Sequence, residues 1–143
     1  MTRYVLDASV AAKWFLSAND ESYAEESLTL LQLYATGSVQ FFVPDLFFAE
    51  FGNILWKAEK LGRCDSKAAD LATKSIIDRK IPSFSSAPLL ARALQIARRH
   101  GRTVYESLYL ALAVDLDAPL VTADERLANS VRGRLPVRWL GSL

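Results

Sequence analysis

Apolar positions along the chain fall into two kinds of run. Short, unbroken ones end abruptly: Tyr4-Val5-Leu6 stops at Asp7, Phe41-Phe42-Val43 at Pro44, and Leu120-Val121 at Thr122. Runs of this length that are apolar at every position predict strands buried on both faces. Weaker strand patterns cover 81–85, where Pro82 argues for an edge, and 137–140.

Longer stretches space their apolar residues by three and four and predict helices. They cover 9–16, 45–60, 65–78, 88–100, 103–115 and 124–130, and a second helix that starts at Asn19 or Asp20 and reaches Gly37. Glu21, Glu25 and Glu26 suit the positive end of that second helix. Gly62 and Gly101 follow two of the helices as stop signals. Asp7 or Ser9, Asp45, Asp65, Thr103, and Thr122 or Asp124 stand where N-caps belong. Strands alternating with helices predict an α/β fold: one domain spanning 1–143, with a parallel central sheet of about five strands flanked by helices. Sites in such sheets form beyond the carboxyl ends of the strands, where strand order reverses.

Composition narrows the chemistry. Cys64 is the single cysteine and His100 the single histidine. An intramolecular disulfide, a cysteine zinc module and HExxH are therefore excluded. No glycine-rich phosphate loop is present. The carboxylates number 16. A catalytic metal, if there is one, must be a hard ion held by oxygen, such as Mg²⁺ or Mn²⁺. The longest unbroken apolar helical run, Leu108 to Val114, is far too short to span a bilayer, and the amino terminus lacks a signal-peptide pattern. The cytoplasm is the expected compartment, with no membrane partner.

The net charge of +1 hides a division. Residues 1–50 hold two basic and seven acidic groups, and the remainder holds 15 basic and nine acidic. Between Arg79 and Tyr105 there are six Lys or Arg and no acid. An acid-lined region beside a basic one suits a metal site next to a polyanion, although a solvated surface also explains it.

Four acids stand out. Asp7 and Asp124 follow two inner strands, and such strands lie about 4.8 Å apart, so both acids can reach one site. Glu50 sits in the apolar helix segment LFFAEFGNIL, and its neighbours one turn away are Leu46, Phe47, Asn53 and Ile54. None is basic, so nothing local pairs with it. Asn53 shares its face. Glu106 completes a capping box with Thr103, so helix capping and ion binding both account for it. Ser9 and Thr122 read as caps whose hydroxyls can line the same pocket.

Together, YVLDASVAAKWFL, PDLFFAEFGNIL and TVYESLYLALAVDLDAPLVTADERL resemble the PIN domain, and within it the VapC-type toxin ribonucleases of toxin–antitoxin pairs. The resemblance spans Tyr4 to about Leu140. It implies a Mg²⁺- or Mn²⁺-dependent endoribonuclease acting on RNA phosphodiesters, with Asp7, Glu50, Glu106 and Asp124 as catalytic acids and metal ligands. Ser9, Asn53 and Thr122 match accessory polar positions. It also implies a cognate small antitoxin and a homodimer or toxin–antitoxin hetero-oligomer. Helices 45–60 and 65–78 would form the antitoxin's clip, and Trp14, Phe15, Phe47, Phe48, Phe51 and Trp56 are candidate contact aromatics. One departure stands out: the third acid is usually aspartate, and here Glu106 takes its place. Two alternatives follow: a PIN-like domain with a degenerate metal site that binds RNA or protein without cutting, and a metal-dependent nuclease acting on DNA or structured RNA.

Overall fold

The computed structural model describes all of residues 1–143. Five strands, β1 (Thr2–Leu6), β2 (Val39–Pro44), β3 (Ser83–Phe84), β4 (Leu120–Thr122) and β5 (Val137–Trp139), form one sheet in the order β3-β2-β1-β4-β5. Every pairing is parallel. Tyr4, Val5 and Leu6 are all buried, as are Leu120, Val121 and Thr122. Successive strand residues point to opposite faces, so unbroken burial means the sheet is covered on both.

Seven α-helices link the strands: α1 (Ala8–Ala11), α2 (Ala24–Ala35), α3 (Leu46–Lys60), α4 (Ser66–Asp78), α5 (Leu90–His100), α6 (Val104–Leu116) and α7 (Glu125–Val131). In α6, every residue from Ser107 to Ala113 is buried. A helix that is apolar all round must be enclosed, and α6 is the most enclosed here. The core also holds Phe47 and Phe51, stacked with centroids 6.0 Å apart, and Phe15 meets Phe51 edge-on at 5.7 Å.

The first helix, expected over 9–16, is a single α-helical turn, Ala8–Ala11, that tightens into a 3-10 turn over Ala12–Trp14. Most other boundaries hold, with three further differences. The first concerns the second helix, which starts at Ala24, not at 19 or 20. Glu21 instead forms ion pairs with Lys13 and Arg63, and the Lys13 and Glu21 side chains are largely buried. Tyr23 takes a left-handed conformation (φ 56°) and packs its ring edge-on against Trp139. Those long-range partners outweigh the acids' local preference for a helix N-terminus.

The edge strand is also shorter than the pattern suggests, only Ser83–Phe84. It does lie at the edge, and the Pro82 carbonyl accepts from the Val43 N–H at 3.0 Å. Finally, Asp45 precedes α3 but does not cap it. Its carboxylate accepts instead from the Ser86 hydroxyl at 2.6 Å.

Strand β1 lies at the centre, with β2 on one side and β4 on the other. The chain leaves β1 in one direction and later returns to its other flank. This is the reversal of strand order that opens a crevice at the carboxyl ends of β1 and β4.

Candidate active site

Asp7 and Asp124 stand at that crevice, each immediately or shortly after its strand. Each is an N-cap. The Ser9 N–H donates to Asp7 Oδ1 at 3.1 Å, and the Leu127 N–H donates to Asp124 Oδ1 at 3.1 Å. Capping and site-lining are compatible, because an ionised carboxylate has about four lone-pair sites and the cap uses one. The Thr122 hydroxyl donates to Asp7 Oδ2 at 2.8 Å and accepts from the Asp124 N–H at 3.1 Å. The Ala123 N–H donates to Ser9 Oγ at 3.3 Å. Ser9 and Thr122 thus bolt the turn after β1 to the turn after β4, fixing the two acids relative to each other.

Glu50 reaches the crevice from α3, and Asn53 lies one turn on. Glu106 comes from the first turn of α6. The four acids, with Ser9, Asn53 and Tyr109, line one pocket of about 240 Å³ that contains no Lys, Arg or His. Every candidate site residue named from sequence is therefore at this pocket or, for Thr122, hydrogen-bonded into it. A cavity of about 420 Å³ lies at the opposite ends of β1 and β2, near Glu25, Glu26 and Arg138, away from this chemistry.

Electrostatics sets the acids apart. Burial, with a smaller contribution from the Glu50 charge, raises the Asp7 carboxyl to about 6, against the lowering effect of the bonds from Ser9 and Thr122. Glu50 makes no ion pair, as its neighbours in sequence foretell. Glu106 is lowered: partial burial pushes it up, but Arg102 and the Thr103 N–H and hydroxyl outweigh that. Its Oε2 accepts from Arg102 Nη2 at 2.7 Å, and its Oε1 accepts from the Thr103 N–H at 3.2 Å and hydroxyl at 3.0 Å. The capping box is complete. Glu106 thus lines the pocket while committing both oxygens elsewhere, and no three acids stand close enough to chelate one ion.

Removing the capping hydroxyl should cost about 1 kcal/mol. Thr103→Ala is expected to lower the denaturation midpoint accordingly, with the slope of the transition unchanged, as measured by urea unfolding.

Two residues escape the sequence reading. Tyr109 is buried, and its hydroxyl at the pocket wall has no hydrogen-bond partner. Burial first, then the Asp7 charge and the Glu50 carboxylate that the hydroxyl faces, raise its pKa well above that of a free phenol. Tyr109 is three positions after Glu106 and shares its helical face, but in an apolar stretch it reads as core. Arg102 is hidden differently, since its spacing to Glu106 is an ordinary i, i+4 pair.

The donor set suits a hard divalent cation. It offers only oxygens, three of its acids (Asp7, Glu50 and Asp124) have no cationic partner, and an orphaned buried hydroxyl faces them.

Comparison with known proteins follows the same line. The profile of the PIN domain family matches residues 4–132. Exonuclease VapC9 of Pyrobaculum aerophilum is 30% identical over 139 residues, covering 96% of this chain and 92% of that protein. Ribonuclease VapC1 of Mycobacterium tuberculosis is 39% identical over 88 residues, or 59% of this chain and 63% of the relative. Among solved structures, a toxin–antitoxin complex from Klebsiella pneumoniae superposes with a TM-score of 0.59 at 14% identity, covering 94% of this chain and 95% of the other. That last likeness is one of fold.

Proposed function

The chain belongs to the PIN domain family, and from that premise we propose that it is the toxin of a type II, VapBC-type toxin–antitoxin pair: a metal-dependent endoribonuclease that hydrolyses RNA phosphodiester bonds. The observation that carries this reading is the pocket that Asp7, Glu50, Glu106 and Asp124 all line and that no Lys, Arg or His lines. Relatives named exonuclease and ribonuclease support the nuclease reaction.

Asp7, Glu50 and Asp124 would hold Mg²⁺ or Mn²⁺, with Glu106 joining when it leaves its cap. Such an ion would polarise the scissile phosphate and make water a better nucleophile. Around it the protein positions and balances charge. Ser9 and Thr122 keep Asp7 in one orientation. Asn53 and the free Tyr109 hydroxyl can orient a phosphate oxygen or the attacking water. No imidazole lines the pocket, so a carboxylate accepts the water's proton.

The partners follow the same logic. Arg98, Arg99, His100 and Arg102 end α5 and lead to α6, giving RNA a basic approach to the acids. A cognate antitoxin would lie along α3 and α4, where Trp56, Leu61, Leu71 and Ile77 are exposed. Of the aromatics named for this contact, only Trp56 is exposed; Phe47 and Phe51 are core, and Trp14, Phe15 and Phe48 pack against it. An active toxin works where its RNA is, in the cytoplasm, as a homodimer or in a hetero-oligomer with its antitoxin. No helix is long and apolar enough to cross a membrane.

One observation favours a second reading, a PIN domain that binds RNA without cutting: Glu106 is tied to Arg102 and Thr103. Mapping RNA ends after induced expression separates the two. Nuclease action gives discrete new ends with wild type and none with Asp124→Asn. Identical end profiles for both would contradict it.

A further inference from the structure

Glu106, which lines the pocket, is held by three donors from two residues. Arg102 Nη2 binds one carboxylate oxygen, and Thr103, through its N–H and hydroxyl, binds the other. The length of glutamate makes this possible, because an aspartate at the same position is one methylene short of reaching back to both. Arg102 is largely enclosed, with 21% of its side chain exposed, and its buried Nε has no partner. It also precedes the N-cap of α6, where the helix dipole disfavours a cation that lacks an anion beside it.

Resting on the metal-nuclease reading, we propose that Arg102 is an exchange residue: in the metal-free chain it holds Glu106 away from the other acids, and when Glu106 turns to the ion, the released guanidinium binds a phosphate of the RNA. The exchange conserves charge at each place. The ion takes the carboxylate, and the phosphate takes the vacated position against Arg102 and the Thr103 N–H. A guanidinium and a helix N-terminal N–H together favour phosphate over other anions. A partly exposed i, i+4 ion pair is weak enough for a bound ion to break. The same guanidinium thus opposes the metal before substrate arrives and favours the substrate once the metal is in place, so Arg102 is a positioning residue that couples the two.

The test uses Arg102→Met, which keeps the length and removes the charge, with Arg102→Lys as the charge-retaining control. Mn²⁺ alone is titrated calorimetrically. A non-cleavable, 2′-deoxy-substituted RNA is then titrated in saturating Mn²⁺ across a salt series. For Arg102→Met we expect Mn²⁺ to bind roughly tenfold more tightly and RNA roughly tenfold more weakly, with the salt slope reduced by about one phosphate contact. Arg102→Lys is expected to keep the slope. If Arg102→Met binds Mn²⁺ no more tightly than wild type, or RNA no more weakly, the exchange is refuted while the metal site stands. Absence of Mn²⁺ binding by wild type would refute the metal reading, and the exchange with it.

Discussion

Asp7→Asn is expected to lower RNA cleavage by about 100-fold or more, and at the same time to stabilise the metal-free protein at neutral pH. The two effects have one cause. Burial holds the Asp7 carboxyl at about 6, with Glu50 adding to the rise. The unfolded chain has no such penalty, so the folded state binds the extra proton. Stability from this group is therefore fully present below about pH 4 and is lost as pH rises through about 6. At neutral pH the ionised carboxylate costs the metal-free fold as much as about 3 kcal/mol.

Asparagine removes that cost and can keep the hydrogen bond from Ser9. The stability difference between variant and wild type should accordingly grow from pH 4 to 7. Adding Mg²⁺ or Mn²⁺ at pH 7 should raise the melting temperature of wild type and leave the variant unmoved. A variant that melts lower than wild type at pH 7 without metal would show that Asp7 is there for folding. Differential scanning calorimetry across pH, with and without the ion, reads both effects.

Glu50→Gln is expected to lower cleavage by about 100-fold without unfolding the protein. The residue has no ion pair to lose, and it approaches the pocket on a helix anchored elsewhere by Phe47, Phe51 and Leu55. The side chain keeps its shape and loses only its charge. Removing that charge also relieves Asp7, so the pH at which the metal-free fold loses stability should move down. Nuclease assays beside the same pH-dependent calorimetry check both parts. Undiminished cleavage by Glu50→Gln would leave the most conspicuous acid of the sequence without a catalytic part.

The comparison of sequence with structure turns on the range of each interaction. Asp7, Asp124 and Thr103 act within three or four residues as caps, and their roles could be read from the chain alone. Glu50 was legible by elimination, as an acid in an apolar helix with no basic neighbour. That Asp7 and Asp124 can line one pocket is legible because both follow unbroken apolar strands, which lie inside a sheet, and β1 and β4 are in fact neighbours. Glu21 lies outside the helix that its local preference predicts, because its partners, Lys13 and Arg63, lie eight and 42 residues away.

Tyr109 was missed for the opposite reason. Its neighbours in α6 are all apolar, and no pattern shows which buried tyrosine carries its hydroxyl to a pocket wall. Of the candidate contact aromatics in α3, Phe47, Phe48 and Phe51 pack into or against the core and only Trp56 is exposed, because helical spacing does not say how wide a stripe the core will cover. Glu106 sits between these cases. Its cap was visible in the Thr103 spacing, and the structure adds the hold of Arg102, which makes its extra methylene meaningful.

The most direct measurement follows the fate of a defined RNA incubated with purified protein, wild type or Asp7→Asn, each shown to be folded by circular dichroism. The account predicts internal cleavage by wild type with Mg²⁺ or Mn²⁺, none with EDTA, recovery when the ion is restored, and none with Asp7→Asn under any condition. Cleavage that persists in EDTA, or that is equal for the two proteins, would contradict it.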